Sequence, residues 1–190
     1  WGDFWESLVR SVKASLKKVL GNSYCTYEEL ATILTEVEAV VNSRPLTYVS
    51  AEATEVEPLT PSHFLVGKRL TSLPTSTCKD ATSQPNNLEG SWKYRQRMTD
   101  HFWRRWQKEY LNSLRSAHFY VPTSSNAIQE GTVVLVYEHL SPRQLWKMGV
   151  VDNVLIGRDG WIRACMVRLP SRTVIRRPVQ LLYPLESLRK

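Results

Sequence analysis

Between residues 3 and 20 the apolar positions return at helical spacing: at 100° per residue, Leu8, Val9, Val12, Leu16 and Val19 fall within an arc of roughly 100°, which predicts a helix with one packing face. Glu6, Arg10, Lys13 and Lys17 fall within about 60° of one another on the other side, so that side is charged. Gly21-Asn22 has the character of a helix C-cap. Thr26 followed three residues later by Glu29 is a capping box, and Leu30, Ile33, Leu34, Val37 and Val41 continue it as a second helix that Pro45 stops.

The periodicity is lost between Ser43 and Pro74. Pro45, Pro58, Pro61 and Pro74 predict extended, irregular chain pinned by Leu46, Tyr48, Leu59, Phe64 and Leu65. Residues 75–90, small and polar, read as a linker. A third helix is predicted from Ser91 to Arg115, with Trp103, Trp106, Tyr110 and Leu114 on one face and Arg97, Arg104, Lys108 and Arg115 opposite. Past Pro122 the period shortens from that of a helix to that of a strand. Five short runs, 133–137, 147–155, 161–168, 173–177 and 181–183, are rich in β-branched residues, and Gly157-Arg158-Asp159-Gly160 is a hairpin turn between the second and third. Five short strands in so few residues suggest a small barrel.

Composition narrows this picture without redirecting it. A chain of 190 residues with 42% hydrophobic residues and seven Trp can fill a core, in one domain or two small ones, which excludes disorder throughout and a collagen repeat. Cys25, Cys78 and Cys165 are odd in number and widely spaced, so neither a disulfide framework nor a zinc ribbon is expected. No apolar run reaches membrane-spanning length and no signal peptide is visible, so the expected setting is nuclear or cytoplasmic, with no membrane partner. Trp1, not Met, is read as a start inside an open reading frame or after processing.

Charge adds a direction. Residues 1–75 hold 7 basic and 9 acidic residues, 76–120 hold 8 and 4, and 121–190 hold 10 and 5, so the formal net charge of +7 comes from the last two thirds. That favours a polyanion there, nucleic acid first. The stripe Arg97, Arg104, Lys108 and Arg115 is read either as a solvated face or as phosphate-binding. In the strand region Arg143, Lys147, Arg158, Arg163, Arg168, Arg172, Arg176 and Arg177 supply the charge, and alternation along a strand sends Arg176 and Arg177 to opposite faces. Trp146 and Trp161 are both expected in the core, an aromatic cage for methyl-lysine being the other use of such rings. His63 is expected to be structural.

Several blocks carry a resemblance. WGDFWESLVRSVKASLKKVLG, YEELATILTEVEAVVNSRPLTY and PLTPSHFLVGKRL resemble the end of a retroelement integrase core of the BEL/Pao type. FWRRWQKEYLNSLR, GTVVLVYEHLSPRQLWKMGVV, GRDGWIRACMVRL and RRPVQLLYPL resemble the domain that follows that core in BEL/Pao polyproteins. The resemblance implies an α+β chain: residues 1–74 as the C-terminal helices of a ribonuclease-H-like core, 75–90 as linker, 91–120 as a helical connector, and 121–190 as an SH3-like β-barrel that binds DNA. It implies a DDE-type polynucleotidyl transferase using Mg2+, or Mn2+, in the complete parent, which would act as a homo-oligomer. Glu6 matches the third metal-binding carboxylate of that chemistry, the two Asp belonging upstream of Trp1. With one carboxylate, no metal and no catalysis are expected of this chain alone.

Arg10, Lys13 and Lys17 continue the Glu6 face, and with Arg97, Arg104, Lys108, Arg163 and Arg176 they are the candidate DNA-binding residues, through backbone contacts without sequence preference. The alternative is a stand-alone nucleic-acid or chromatin module in which Glu6 is a relic. Without the central sheet of such a core, the helices of residues 3–42 are expected to leave their apolar faces exposed.

Overall fold

A computed structural model of the chain describes residues 2–21, 25–50, 56–71, 87–119, 128–139 and 141–185. Helix α1 (Gly2–Leu20) ends at Gly21, whose φ is 55°. Helix α2 (Tyr27–Asn42) opens on the capping box, with the Glu29 N–H donating to Thr26 Oγ1 at 3.2 Å and the Thr26 N–H to Glu29 Oε2 at 3.0 Å. It stops three residues before Pro45, which has no N–H to continue the ladder.

Where irregular chain was expected there is a small ordered unit. Strands β1 (Thr47–Ser50) and β2 (Val56–Leu59) pair antiparallel, and α3 (Pro61–Val66) follows. Proline stops a long ladder but is tolerated in a two-stranded one, where Pro58 can turn its missing donor outward, and it suits the first turn of a helix, where Pro61 sits. His63 is structural, its Nδ1 accepting from the Thr60 N–H at 3.1 Å.

Helix α4 (Asn87–Phe119) has 33 residues, roughly 50 Å at 1.5 Å per residue. Of the stretch read as linker, residues 75–86 lie outside the described residues and 87–90 form the first turn of α4, a correction to that boundary. The sheet contains β3 (Val133–Val136), β4 (Lys147–Ile156), β5 (Ile162–Arg168), β6 (Val174–Pro178) and β7 (Leu182–Pro184), all antiparallel in the order β6-β5-β4-β3-β7. A 3-10 turn, Val179–Leu181, returns the chain from β6 at one edge to β7 at the other. Each strand lies within a residue of where the two-residue period placed it. The whole is α+β; among the described residues no pairing of β6 with β7 closes the sheet.

Two cores share this sheet. All four residues of β3 are buried, which is what an uninterrupted Val-Val-Leu-Val run signals. Val133 and Leu135 enter a core with Phe102, Trp103 and Trp106 of α4, Ile33, Val37 and Val40 of α2, and Trp146. Val134 and Val136 point the other way and pack with Val151, Cys165, Val167 and Leu182. Residues of β6 (Ile175) and of the 3-10 turn (Val179) border this second core, so the sheet curls around it.

The helices of residues 3–42 do not leave their apolar faces bare, contrary to expectation. Leu8, Val12, Leu16 and Val19 of α1 join the first core, and Ser11 and Ser15 both donate to Glu109 of α4, at 3.0 and 2.7 Å. The role foreseen for a central sheet is filled by α4.

Candidate nucleic-acid interface

The structure sorts the basic residues into those committed to the fold and those left facing outward. Arg143, in the β3–β4 loop, is a clamp: it reaches Glu36 of α2 at 2.8 Å and Asp100 of α4 at 3.2 Å, and donates to Gln96, with only 13% of its side chain exposed. Trp103 Nε1 donates to Ser141 O at 3.4 Å and Gln107 to Ser141 Oγ at 3.3 Å, fastening the same loop to α4. Arg115 stacks over the Tyr183 ring at 4.4 Å and donates to Gln180 O, so it binds α4 to the 3-10 turn and β7. It does not belong to the outward stripe.

On the sheet, Arg168 pairs with Asp152 and Arg163 with Asp159. Glu138 takes Lys147 at 3.1 Å and Arg177 at 3.6 Å. Arg176, next along the strand, is exposed. The alternation of that pair was legible in the sequence, and its cause is the pleat.

The outward set includes Arg10, Lys13 and Lys17 on α1, Arg97, Arg104 and Lys108 on α4, and Arg158, Arg172 and Arg176 on the hairpins and edge of the sheet. None of these forms an ion pair among the described residues. Arg172 sits at φ 62°, the left-handed region that costs a residue with a Cβ about 1 kcal/mol or more. The tight turn between β5 and β6 therefore displays an arginine where glycine would be the cheaper choice. Of the sheet candidates named from sequence, Arg176 is outward and without an ion pair, whereas Arg163 is outward but neutralised by Asp159.

Glu6 is exposed on the charged side of α1. Among the described residues no three His, Cys, Asp or Glu side chains are grouped to hold a metal ion. A two-magnesium site does not fit the residues described, and no chemical step is assigned to Glu6 here.

The aromatic residues divide as well. Trp103 and Trp146 meet edge to face with ring centres 5.1 Å apart, Tyr110 meets Trp146 at 5.4 Å, and Phe102 and Trp106 stack at 6.2 Å. All belong to the core or border it. Trp161, expected there too, is 70% exposed, which corrects that reading. Its place directly after the Gly157–Gly160 turn is the signal that could have found it, since hairpin tips lie beyond the packed part of a sheet.

Two buried polar groups sit behind the first core. The Tyr110 hydroxyl donates to Pro45 O, and burial pushes its pKa up to about 12. Arg44, beside it, donates to Val41 O at 3.0 Å and is held below the usual arginine range by burial. Arg44 is thus a peg in the fold. Sequence reasoning also passed over Arg69, which lines a cleft of about 400 Å³ with Glu57, Pro58, Glu138, Pro142 and Trp146. Its Nε and Nη2 are buried and find no acceptor among the described residues. Burial lowers its pKa, and the Glu57 charge works against that shift.

Comparison with known proteins gives one match: residues 90–185 fit the model of a family of unknown function, DUF5641. No curated protein matches the chain. No solved structure matches it either.

Proposed function

The chain belongs to the DUF5641 family, and from that premise we propose that it is a nucleic-acid-binding part of a BEL/Pao-type retroelement integrase, holding DNA by its phosphates without reading sequence. The observation that carries the reading is the sorting of charge. Arg163, Arg168 and Arg177 of the sheet are neutralised by Asp159, Asp152 and Glu138, while Arg104, Lys108, Arg158, Arg172 and Arg176 stand outward without carboxylate partners among the described residues. Internal pairing of that kind removes the acidic groups that would repel a phosphate backbone, and leaves the donors that attract one.

Two further features support the assignment. The antiparallel order β6-β5-β4-β3-β7, with a 3-10 turn before the last strand, supports the SH3-like form that the resemblance implies for residues 121–190. The Glu6 helix with its basic side, joined in one chain to that sheet, suits the tail of a DDE-type integrase whose other carboxylates come from elsewhere in the parent. On this reading the chain alone performs no strand transfer. The methyl-lysine reader gains no support: Trp146 is in the core, and no aromatic ring pair among the described residues includes Trp161.

The test is binding of a labelled duplex across a salt series. Measurable binding at about 50 mM salt should weaken with a log–log slope of roughly −0.9 for each phosphate engaged. Changing Arg104, Lys108, Arg163 and Arg176 together to Gln should weaken binding and flatten that slope. Undetectable binding at low salt, or a slope untouched by the four changes, would overturn the proposal. So would magnesium-dependent 3′-end processing by the chain alone, for the claim that it is catalytically silent.

A further inference from the structure

Strand β4 has ten residues, but β3 accompanies it only from Lys147 to Val150. On the other side, β6 accompanies β5 only from Ala164 to Arg168. The far ends of β4 and β5, from Leu155 to Ile162, therefore leave the sheet as a two-stranded arm.

The tip of this arm is built to hold one shape. The Gly157 N–H donates to Trp161 O at 2.7 Å and the Gly160 N–H to Gly157 O at 3.0 Å. Gly160 has φ 78°, a conformation that glycine adopts without strain. Asp159 is consumed within the turn, accepting from the Trp161 N–H at 3.3 Å and pairing with Arg163. A Cβ at Gly157 would lie 2.6 Å from Asp159 Oδ1 and 3.0 Å from Arg163 Cγ, so a larger residue there would push these side chains out of their places in the turn. What this arrangement presents to solvent is Trp161, 70% exposed, Ile156, 65% exposed, and Arg158.

A ring held outward on an ordered arm suits a partner with a flat apolar face. The surrounding charge says which. Residues 147–178 hold seven basic residues and two acidic ones, and both acidic residues, Asp152 and Asp159, are already paired with arginines. A partner that offers flat rings and negative charge together is a polynucleotide. In continuous duplex each base face is covered by its neighbours, so the ring has nothing to stack on. An unpaired base leaves a face open.

We propose that the β4–β5 arm is a base-stacking element, in which Trp161 lies against an unpaired nucleobase and Arg158 takes an adjacent phosphate, so that the chain favours single-stranded or frayed nucleic acid over uninterrupted duplex. This rests on the nucleic-acid reading above and adds to it the kind of nucleic acid. The experiment compares a labelled strand of roughly 16 thymidines with a blunt duplex of the same length, at about 50 mM salt, by fluorescence anisotropy. Wild type is compared with Trp161→Ala, Trp161→Phe and the double change Arg104→Gln/Lys108→Gln, each first checked for an unchanged melting temperature.

The wild type should bind the single strand more tightly. Trp161→Ala should weaken single-strand binding about tenfold and leave duplex binding within about twofold, while Trp161→Phe restores most of the loss. The Arg104/Lys108 change should weaken both. Trp161→Ala without effect on the single strand would overturn the inference and leave the ring to a protein partner, with the phosphate-binding reading intact. Equal losses on both probes would overturn it too, by making the arm part of a general backbone surface. Failure of the wild type to bind either probe would sink the nucleic-acid reading itself.

Discussion

The core between α4 and the sheet is built around the rings of Phe102, Trp103, Trp106, Trp146 and Tyr183, whereas the core that the sheet curls around has no ring and is made of β-branched and small aliphatic side chains. The two share β3, residue by residue, and fill different shapes. A helix lying on a twisted sheet leaves a wedge of uneven depth, which a few large flat groups fill by tilting against one another, as the edge-to-face angle of 77° between Trp103 and Trp146 illustrates. The inside of a tightly curved sheet has little depth and no room for a ring. It takes many small contacts instead, and its stability is spread over Val134, Val151, Cys165 and Val167. One face concentrates its energy in few residues, the other distributes it.

That contrast is tested most severely by Trp106→Ala, which should cost about 3–5 kcal/mol in urea unfolding because it empties the centre of the ring core. A loss smaller than that of any single valine across the sheet would break the comparison. The ring core should also lose stability in alkali. With the Tyr110 pKa at about 12 in the folded chain against about 10 unfolded, the unfolded state loses its proton first, so the stabilisation is complete below pH 10 and disappears between pH 10 and 12. Each unit of separation is worth roughly 1.4 kcal/mol. The decline should be shallower in Tyr110→Phe, which sacrifices about 1 kcal/mol of hydrogen bond to Pro45 at neutral pH. Equal pH slopes for the two proteins would remove Tyr110 from the account.

Val134→Ala, in the aliphatic core, should cost about 2 kcal/mol, and Val167→Ala a similar amount, with the two losses adding only in part if the residues share one tight interior. Full additivity would mean that the interior is looser than its burial suggests. Smallest of all, Arg172→Gly should raise stability by about 0.5–1 kcal/mol by relieving a positive φ, while weakening duplex binding and lowering the salt slope by about 1. That opposite movement of stability and binding would sharpen the view that the β5–β6 turn accepts strain in order to display a cation.

Legibility in the sequence followed the strength of the period. Helices α1, α2 and α4 and all five strands of the main sheet could be placed from it, since each repeats its pattern over several turns or alternations. The hairpin β1–β2 and helix α3 could not, because elements of four to six residues interrupted by Pro58 and Pro61 show no period to read. In the candidate interface, composition located the positive charge but could not tell Arg176 from Arg143. The difference lies in Glu36, Asp100 and Gln96, distant in sequence from Arg143 and brought to it only by the packing of α2 and α4 against the β3–β4 loop. Trp146 and Trp161 pose the same difficulty. Both stand near strand ends with apolar neighbours, and only the length of β4 beyond β3 separates a ring in the core from one in solvent.

Helix α4 also bears on how such a unit is inherited. The family match begins at residue 90, within the first turns of α4, and so takes in the ring-bearing helix and the sheet without α1 and α2. Phe102 and Trp106 lie toward the side of α4 where Glu109 meets α1, and both are almost wholly enclosed. A gene that kept only the matched stretch would encode a helix with one flank bare, and its product would have to recruit a covering layer from its own flanking sequence or from another chain. The unit is portable, then, only in company. Relatives that differ before residue 90 should be compared first by what they place against those two rings.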